Sequence, residues 1–241
     1  MAEGIALFNS GDNLNSAANL FGFAFGAAGN NMQKKVDALE QQALVFTKMN
    51  RFSTAELLFV QAMALASQHA LDRSAYTIRR NLAINCMAEY QRSLFHTHKV
   101  WRSLLTNAYE LLQQCSYGFK KIVDEPEELA ITKAYIGRLH LLERLYEPAA
   151  KKMREARDEL EGFTPVNYTY VLNVDIALMR AVPKSERAAV RDHALPLIEL
   201  TGQTSRYREI KVIMLGGDRL YRIVQRVPTG ILKIAAGFFG K

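Results

Sequence analysis

Cysteine and proline are both scarce in this sequence. Of the 241 residues, 2 are Cys and 6 are Pro. Cys86 and Cys115 provide neither the number of thiols that a disulfide framework needs nor the spacing of zinc ligands. The sequence therefore excludes a small domain held together by disulfides or by structural zinc.

Long apolar runs are also lacking. The best candidate, residues 17–28, is interrupted by Asn and Gly and falls short of the ~20 residues that a membrane-spanning helix requires. Residues 1–8 contain one acid and no basic cluster, unlike a secretory signal. We therefore expect a cytoplasmic protein with reduced cysteines, either soluble or peripheral at a membrane.

The net charge of +7 is unevenly distributed along the chain. Most of the excess lies in residues 206–241, whereas residues 1–35 contain very few charged side chains. This change of composition divides the chain into three regions. We expect an apolar N-terminal segment at 1–32, a helical repeat domain at 33–204 and a basic amphipathic C-terminal segment at 205–241.

Apolar residues between positions 33 and 226 recur every three or four positions, which is the helical period. The breaks between these segments are short, so successive helices should form antiparallel hairpins. The fold class that follows is all-α, either an α-solenoid or a helical bundle. The predicted helices are 33–50, 53–69, 72–91, 93–118, 126–144, 147–161, 165–181, 184–200 and 205–226.

Two of the predicted hairpins share one pattern of small and large residues, at identical spacings. Small residues at equivalent positions let two helices approach closely, and large ones fill the space beside them. The first hairpin has Ala43, Phe46, Asn50, Phe52, Ala55, Phe59 and Ala62, and the second has Gly137, His140, Arg144, Tyr146, Ala149, Met153 and Ala156.

This pattern resembles the tetratricopeptide repeat family. The family's small-x-x-aromatic element matches Ala43 and Phe46, and its Ala-x-x-x-Phe element matches Ala55 and Phe59. The second hairpin has the same two elements, which begin at Gly137 and Ala149. The sequence departs from the family at Leu39, where a Trp is usual, and the hairpins other than these two match only in their helical rhythm. The resemblance implies an α-solenoid of antiparallel hairpins whose first helices line a concave face, where partner polypeptides dock.

No motif in the sequence indicates catalysis. Phosphate-binding loops, dinucleotide-binding glycines, zinc-protease motifs and nucleophile elbows are all missing. His96 and His98 are two positions apart and diverge on a helix. His140 and Glu143 share a helix face, but no second such set is present, as a di-metal bundle would need. We expect no catalytic residue, no cofactor and no metal.

A candidate partner-binding groove lies on the helix predicted at 72–91. Asn81 and Asn85 are four positions apart, beside Arg79 and Arg80, and an Asn side chain can both donate to and accept from a peptide backbone. The alternative is that these residues are ordinary polar groups on a solvated helix face.

Both ends of the chain contain candidate docking residues. Phe21, Phe23 and Phe25 would form an exposed apolar group unless a partner, lipid or the chain itself covers them. The C-terminal segment pairs a basic face with an apolar tail, which fits a protein contact, a membrane interface or a cap on the last hairpin. Its docking candidates are Arg219, Arg222, Arg226, Ile231, Leu232, Phe238 and Phe239.

The predicted function is a non-enzymatic scaffold or adaptor that binds proteins. It would act as a subunit of a complex or a homo-oligomer, in a cytoplasmic or membrane-attached assembly such as a secretion or motility machine. The alternatives are a chaperone-like protein for a single client and a peripheral membrane protein acting through 205–241. A small-molecule or nucleic-acid effector is a third class, although the basic residues accompany no nucleic-acid-binding fold.

Overall fold

The computed structural model describes residues 1–11, 13–93 and 102–215, and all regular secondary structure in these ranges is α-helical. The predicted all-α fold class is confirmed. Helix bounds agree with the sequence prediction to within three residues, with two exceptions. The helix predicted at 93–118 is described only from Arg102, and the end predicted at 226 lies outside the described residues. The helices are α1 (Ala2–Ser10), α2 (Leu14–Ala27), α3 (Met32–Lys48), α4 (Phe52–Gln68), α5 (Asp72–Ser93), α6 (Arg102–Lys121), α7 (Pro126–Leu142), α8 (Tyr146–Glu161), α9 (Tyr168–Ala181), α10 (Lys184–Thr201) and α11 (Arg206–Met214).

The chain divides into two compact units, Met1–Leu139 and His140–Lys241. In the first unit, each helix from α1 to α5 packs on the next one along the chain, and α3 also contacts α5. Packing of a helix on both its successor and the helix after that is the arrangement of stacked hairpins. The core between α3, α4 and α5 contains the fully buried side chains of Val36, Ala43, Phe59 and Ile78.

Two helices absent from the list of predicted elements, α1 and α2, extend this stack at the N-terminus. Ala17, Ala18 and Phe21 of α2 are buried and pack against Val45 of α3. The side chain of Asn13 caps α2 by accepting a hydrogen bond from the amide of Ser16. The N-terminal segment is therefore part of the folded core of the first unit, and the chain itself covers much of its apolar surface.

The small positions shared by the two hairpins are buried in both. Ala43 and Ala55 of the first hairpin have no exposed surface, and neither has Ala149 of the second. One large position differs, because Phe52 is 9% exposed whereas the equivalent Tyr146 is 44% exposed. The small positions of both hairpins are thus buried, but Tyr146 remains at the surface.

Helices α5 and α6 approach each other closely at Gly118. A Cβ atom at this position would lie 2.3 Å from Cε1 of Tyr76, so only glycine fits. The Tyr76 ring also meets Phe119 edge to face, with ring centroids 5.8 Å apart. The Sγ of Cys115 donates to the carbonyl of Tyr76 at 3.3 Å. These contacts with Tyr76 hold α6 against α5.

In the second unit, α8 packs on α9, α9 on α10, and α11 on both α9 and α10. The fully buried side chains of Met153, Leu172, Leu178 and Ile198 fill its core. Helix α10 ends at Gly202, whose φ of 66° lies in the left-handed region that glycine adopts without strain. Throughout the described ranges, no helix is both long and apolar enough to cross a membrane.

Candidate functional site

The four residues of the predicted partner-binding groove lie on α5, but two of them are inside the first unit. Arg80 is 4% exposed and Asn85 is 1% exposed, so neither side chain can meet a partner. Arg79 and Asn81 are half-buried. The expectation of an open groove is therefore corrected for Arg80 and Asn85, because α5 lies between other helices and buries this face.

Asn85 has a structural role in this interior. Its Nδ2 donates to the carbonyl of Phe52 at 3.2 Å, and its Oδ1 accepts from Oγ1 of Thr47 at 2.8 Å. Asn81 donates through Nδ2 to Oε1 of Glu40 at 2.6 Å. Both ends of the Asn85 amide and the donor of Asn81 are thus used to join α5 to α3 and to the start of α4.

Arg80 joins α5 to α7. Its Nη1 lies 2.5 Å from Oε2 of Glu128 and 3.3 Å from the carbonyl of the same residue. The guanidinium also lies over the Phe119 ring, 5.6 Å from the centroid. Arg79, in turn, lies over the Tyr76 ring at 5.2 Å. We call the set Glu40, Asn81, Arg80, Glu128 and Asn85 the polar seam.

Glu40 is the titratable centre of the polar seam. Burial raises the pKa of its carboxyl to about 7, although the hydrogen bond from Asn81 and the charge of Arg80 act in the opposite direction. Nearby Asp37 and Glu128 add to the increase by repulsion. The seam therefore takes up or releases a proton near neutral pH.

The two cysteines are not activated nucleophiles. Both are buried, and burial raises the pKa of Cys86 and of Cys115 to about 12. A thiol with such a pKa stays protonated at neutral pH, whereas reactive cysteines depend on the thiolate. The structure places both as core side chains.

A second polar cluster lies in the second unit, where α8, α9 and α10 meet. Nδ1 of His193 is 2.6 Å from Oδ2 of Asp175, and its Nε2 is 2.8 Å from Oε1 of Glu161. Arg157 reaches the other oxygen of Asp175 at 3.6 Å. Asp175 has no exposed surface, and burial raises the pKa of its carboxyl. We call these four residues the His193 cluster.

Sequence reasoning missed the His193 cluster because its members come from three helices with no repeated spacing. A histidine oriented by a buried aspartate is the geometry of a general base. Here, however, Glu161 engages the ring nitrogen that would face a substrate. The cluster therefore holds three helices together. Across the ranges that the structure describes, no group of three His, Cys, Asp or Glu side chains has the arrangement of a metal site.

The second unit contains a groove of about 1510 Å³. It runs along α8 and is closed on its other side by the link between α9 and α10. Ala150, Ala181 and Val182 form part of its lining, and Tyr146 stands at its edge. We call it the α8–α10 groove. Basic side chains dominate the remaining lining: Arg144, Lys151, Arg154, Arg180, Lys184 and Arg187, against Glu147, Glu155, Asp158 and Glu186.

The N-terminal candidates divide by exposure. Phe21 of α2 is fully buried against α3. Phe25 packs at the margin of the core between α3 and α5, and the Lys35 ammonium lies above its ring. Phe23 is 75% exposed. Of the coverings considered for this segment, the chain itself therefore accounts for Phe21 and Phe25. The C-terminal candidates lie outside the described residues: Arg219, Arg222, Arg226, Ile231, Leu232, Phe238 and Phe239.

These features define an all-α protein built from successive helices that pack on one another. Comparison with solved structures gives a similar fold in the crystal structure of BtubC (BKLC) from P. vanneervenii, with a TM-score of 0.56. The match covers 88% of this chain and 78% of that chain at 14% sequence identity, so the likeness concerns the fold alone. No protein-family model and no curated protein matches the sequence.

Proposed function

We propose that this chain is a non-enzymatic scaffold or adaptor that binds other proteins. The main support is the α8–α10 groove, whose volume of about 1510 Å³ is larger than the roughly 300–1,000 Å³ of typical small-molecule pockets. Small-molecule sites contain only a few polar groups, whereas this groove is lined by ten charged side chains. A long, open and charged groove is better matched to a polypeptide than to a metabolite.

The state of the reactive side chains supports a function without catalysis. The thiols of Cys86 and Cys115 stay protonated, and both ring nitrogens of His193 contact carboxylates. We propose that the chain has no catalytic activity and needs no cofactor.

We further propose that the hairpins are of the tetratricopeptide type and that the chain is a subunit of a cytoplasmic or membrane-attached assembly. The burial of Ala43, Ala55 and Phe59 in the first hairpin, and of Ala149 and Met153 in the second, supports this assignment. In this family the stacked hairpins display surfaces for other proteins and leave chemistry to partners.

The decisive experiment is isolation of the full chain from its source cells under native conditions, followed by reconstitution. We expect one partner to co-elute at a fixed stoichiometry and the same complex to form from the two purified proteins. A chain that reacts with no protein in chemical cross-linking, and elutes alone at every concentration, would overturn the proposal.

A chaperone-like protein for a single client is the second candidate, and one observation favours it. Leu57 and Val60 on α4 are 65% and 45% exposed, and Ala64 is exposed one turn further along. Such an apolar stripe suits a client that is not yet folded. A chaperone should keep its client soluble and release it for folding, whereas a scaffold should bind a partner that is already folded.

Peripheral membrane binding through residues 205–241 is a further alternative. Lipid binding by this basic segment should require anionic vesicles and weaken with salt, because each Lys or Arg near such a surface contributes about 1 kcal/mol. Flotation of the full chain with phosphatidylserine vesicles, compared with phosphatidylcholine alone, measures this. Equal recovery with both vesicles would exclude an electrostatic attachment.

A further inference from the structure

We propose that the α8–α10 groove binds an acidic segment of a partner polypeptide that also contains apolar side chains. This inference rests on the proposed scaffold function and specifies the chemistry of the partner. Three observations support it: the pairing of the acids in the groove, the unpaired cations beside them, and the apolar part of the lining.

Most acids of the groove are already neutralised within the fold. Oε2 of Glu186 lies 2.5 Å from Nη2 of Arg154. Asp158 is 3.4 Å from Arg157, and Glu155 is 2.7 Å from Lys152. Of the acids in the lining, these three therefore contribute little net negative charge, and Glu147 is the one left without such a pair among the described residues.

Half of the cations in the lining, by contrast, have no partner among the residues that the structure describes. Two of the remaining arginines are occupied, since Arg180 lies 2.5 Å from Glu209 and Arg187 donates to the carbonyl of Ile213 at 3.2 Å. The exposed side chains of Arg144, Lys151 and Lys184 make no ion pair or hydrogen bond within the described part of the chain. The groove thus presents three uncompensated positive charges against the single negative charge of Glu147.

The apolar part of the lining favours apolar side chains between the acidic residues of the bound peptide. Ala150, Ala181 and Val182 are at most 6% exposed, so they form a closed apolar surface with small side chains. Tyr146, 44% exposed, adds an aromatic face at the edge of the groove. Side chains such as Leu or Phe would bury apolar area here while neighbouring carboxylates reach the three cations.

The spacing of charge favours a polypeptide over a nucleic acid. A nucleic-acid backbone carries a negative charge at every phosphate. In this groove such a backbone would pass Glu147 and the Arg154–Glu186 pair as well as the cations, and the acids would repel it. An acidic peptide can place its carboxylates at the cations and its apolar residues elsewhere.

The test uses the full chain and a fluorescein-labelled peptide made of alternating pairs of Glu and Leu, followed by fluorescence anisotropy. We expect saturable binding that weakens as sodium chloride is raised. The double variant Lys151→Glu/Lys184→Glu should weaken it about tenfold or more. The matched control Lys120→Glu/Lys121→Glu alters the same net charge at exposed positions on α6 and should bind like the unaltered chain.

Several outcomes would overturn the groove assignment: no saturable binding, equal loss in both double variants, or equal affinity for a peptide with Lys in place of Glu. Tighter binding of a single-stranded oligonucleotide than of the peptide would assign the groove to nucleic acid instead. If a stoichiometric protein partner is recovered and Lys151→Glu/Lys184→Glu still binds it fully, the groove assignment fails and the scaffold function stands. Circular dichroism of each variant separates loss of binding from loss of fold.

Discussion

The surroundings of the Glu40 side chain disfavour the charged form of its carboxyl group. Burial on α3 raises its pKa from 4.5 to about 7, so the folded chain holds this proton more tightly than the unfolded chain does. The stabilisation linked to that proton is complete below pH 4.5 and is lost as the pH rises to about 7. Stability should therefore decline across this interval because of Glu40.

The variant Glu40→Gln removes this titration while keeping an oxygen that can accept from Asn81. We expect it to be about 2 kcal/mol more stable than the unaltered chain at pH 8 and to have a flatter profile between pH 4.5 and 7. Urea unfolding at a series of pH values measures the difference. Glu3→Gln on α1, an exposed carboxylate, serves as the control, and coincident profiles for Glu40→Gln and the unaltered chain would contradict the prediction.

Phe21 and Phe23 differ only in which side of α2 they occupy. Phe21 is fully buried against α3, and Phe23 is 75% exposed. Phe21→Ala should therefore cost about 3–5 kcal/mol, the usual range for a buried Phe, and Phe23→Ala should stay within about 0.5 kcal/mol of the unaltered chain. Thermal unfolding checks both. Equal stability of the two variants would show that α2 is not anchored by Phe21.

The sequence did not reveal which individual polar residues are buried. Small and large apolar positions such as Ala55 and Phe59 were predictable, because helical period and side-chain size determine which positions can be close contacts. The burial of Arg80 and Asn85 could not be predicted in this way, because polar residues usually lie at the surface. They are buried only when groups from other helices provide their hydrogen bonds. Those partners, Glu128 and Phe52, lie far away in sequence.

Helices α5 and α6 provide a test at the scale of a pair of elements. Gly118→Ala would place a Cβ 2.3 Å from the Tyr76 ring, which Arg79 and Phe119 already hold from other directions. We expect a loss of about 2 kcal/mol from overpacking, despite the better helix propensity of Ala. Chemical denaturation measures it.

Gly26→Ala is the matched control for Gly118→Ala. Gly26 also lies in a helix, α2, but nothing comes within 4 Å of an added Cβ. Here the change should stabilise the chain by about 0.5–1 kcal/mol, because Ala loses less backbone entropy than Gly. If both alanine variants are stabilised, the close contact at Tyr76 is not tight.

Helix bounds were the most predictable property of the elements, and their partners were the least. The apolar period from residue 33 onward was enough to place α3, α4 and α8 within a few residues. The α1–α2 pair is apolar and nearly uncharged, which indicates that something covers it but leaves a partner, lipid and the chain itself as alternatives. Only the three-dimensional structure shows that α2 packs on α3.

At the scale of the whole molecule, the sequence predicted the fold class, and its three regions describe composition rather than compact units. Composition changes near residues 32 and 205, whereas the compact units separate after Leu139, within α7. Composition records charge and hydropathy, and a division into units depends on which helices contact each other. A continuous helix across the division gives no local signal of it.

The sequence also did not indicate the α8–α10 groove, although the residues that line it are close together along the chain. Lys151 and Arg154 occur in a run of alternating charges that indicates a solvated helix face. The two side chains differ in the structure because Arg154 pairs with Glu186 of α10, whereas Lys151 stays unpaired within the described residues. Charge counts in a sequence cannot separate these two situations.

The His193 cluster has a consequence for how the second unit opens. Asp175 has no contact with water, and its Oδ2 depends on His193 of α10 for its hydrogen bond. If α10 detached alone, the buried carboxylate would lose that partner, and Glu161 of α8 would lose the same imidazole. Helices α8, α9 and α10 should therefore open as one cooperative unit. Their slowest backbone amides should exchange with deuterated solvent at a common free energy, and earlier exchange of α10 alone would show that the cluster does not couple them.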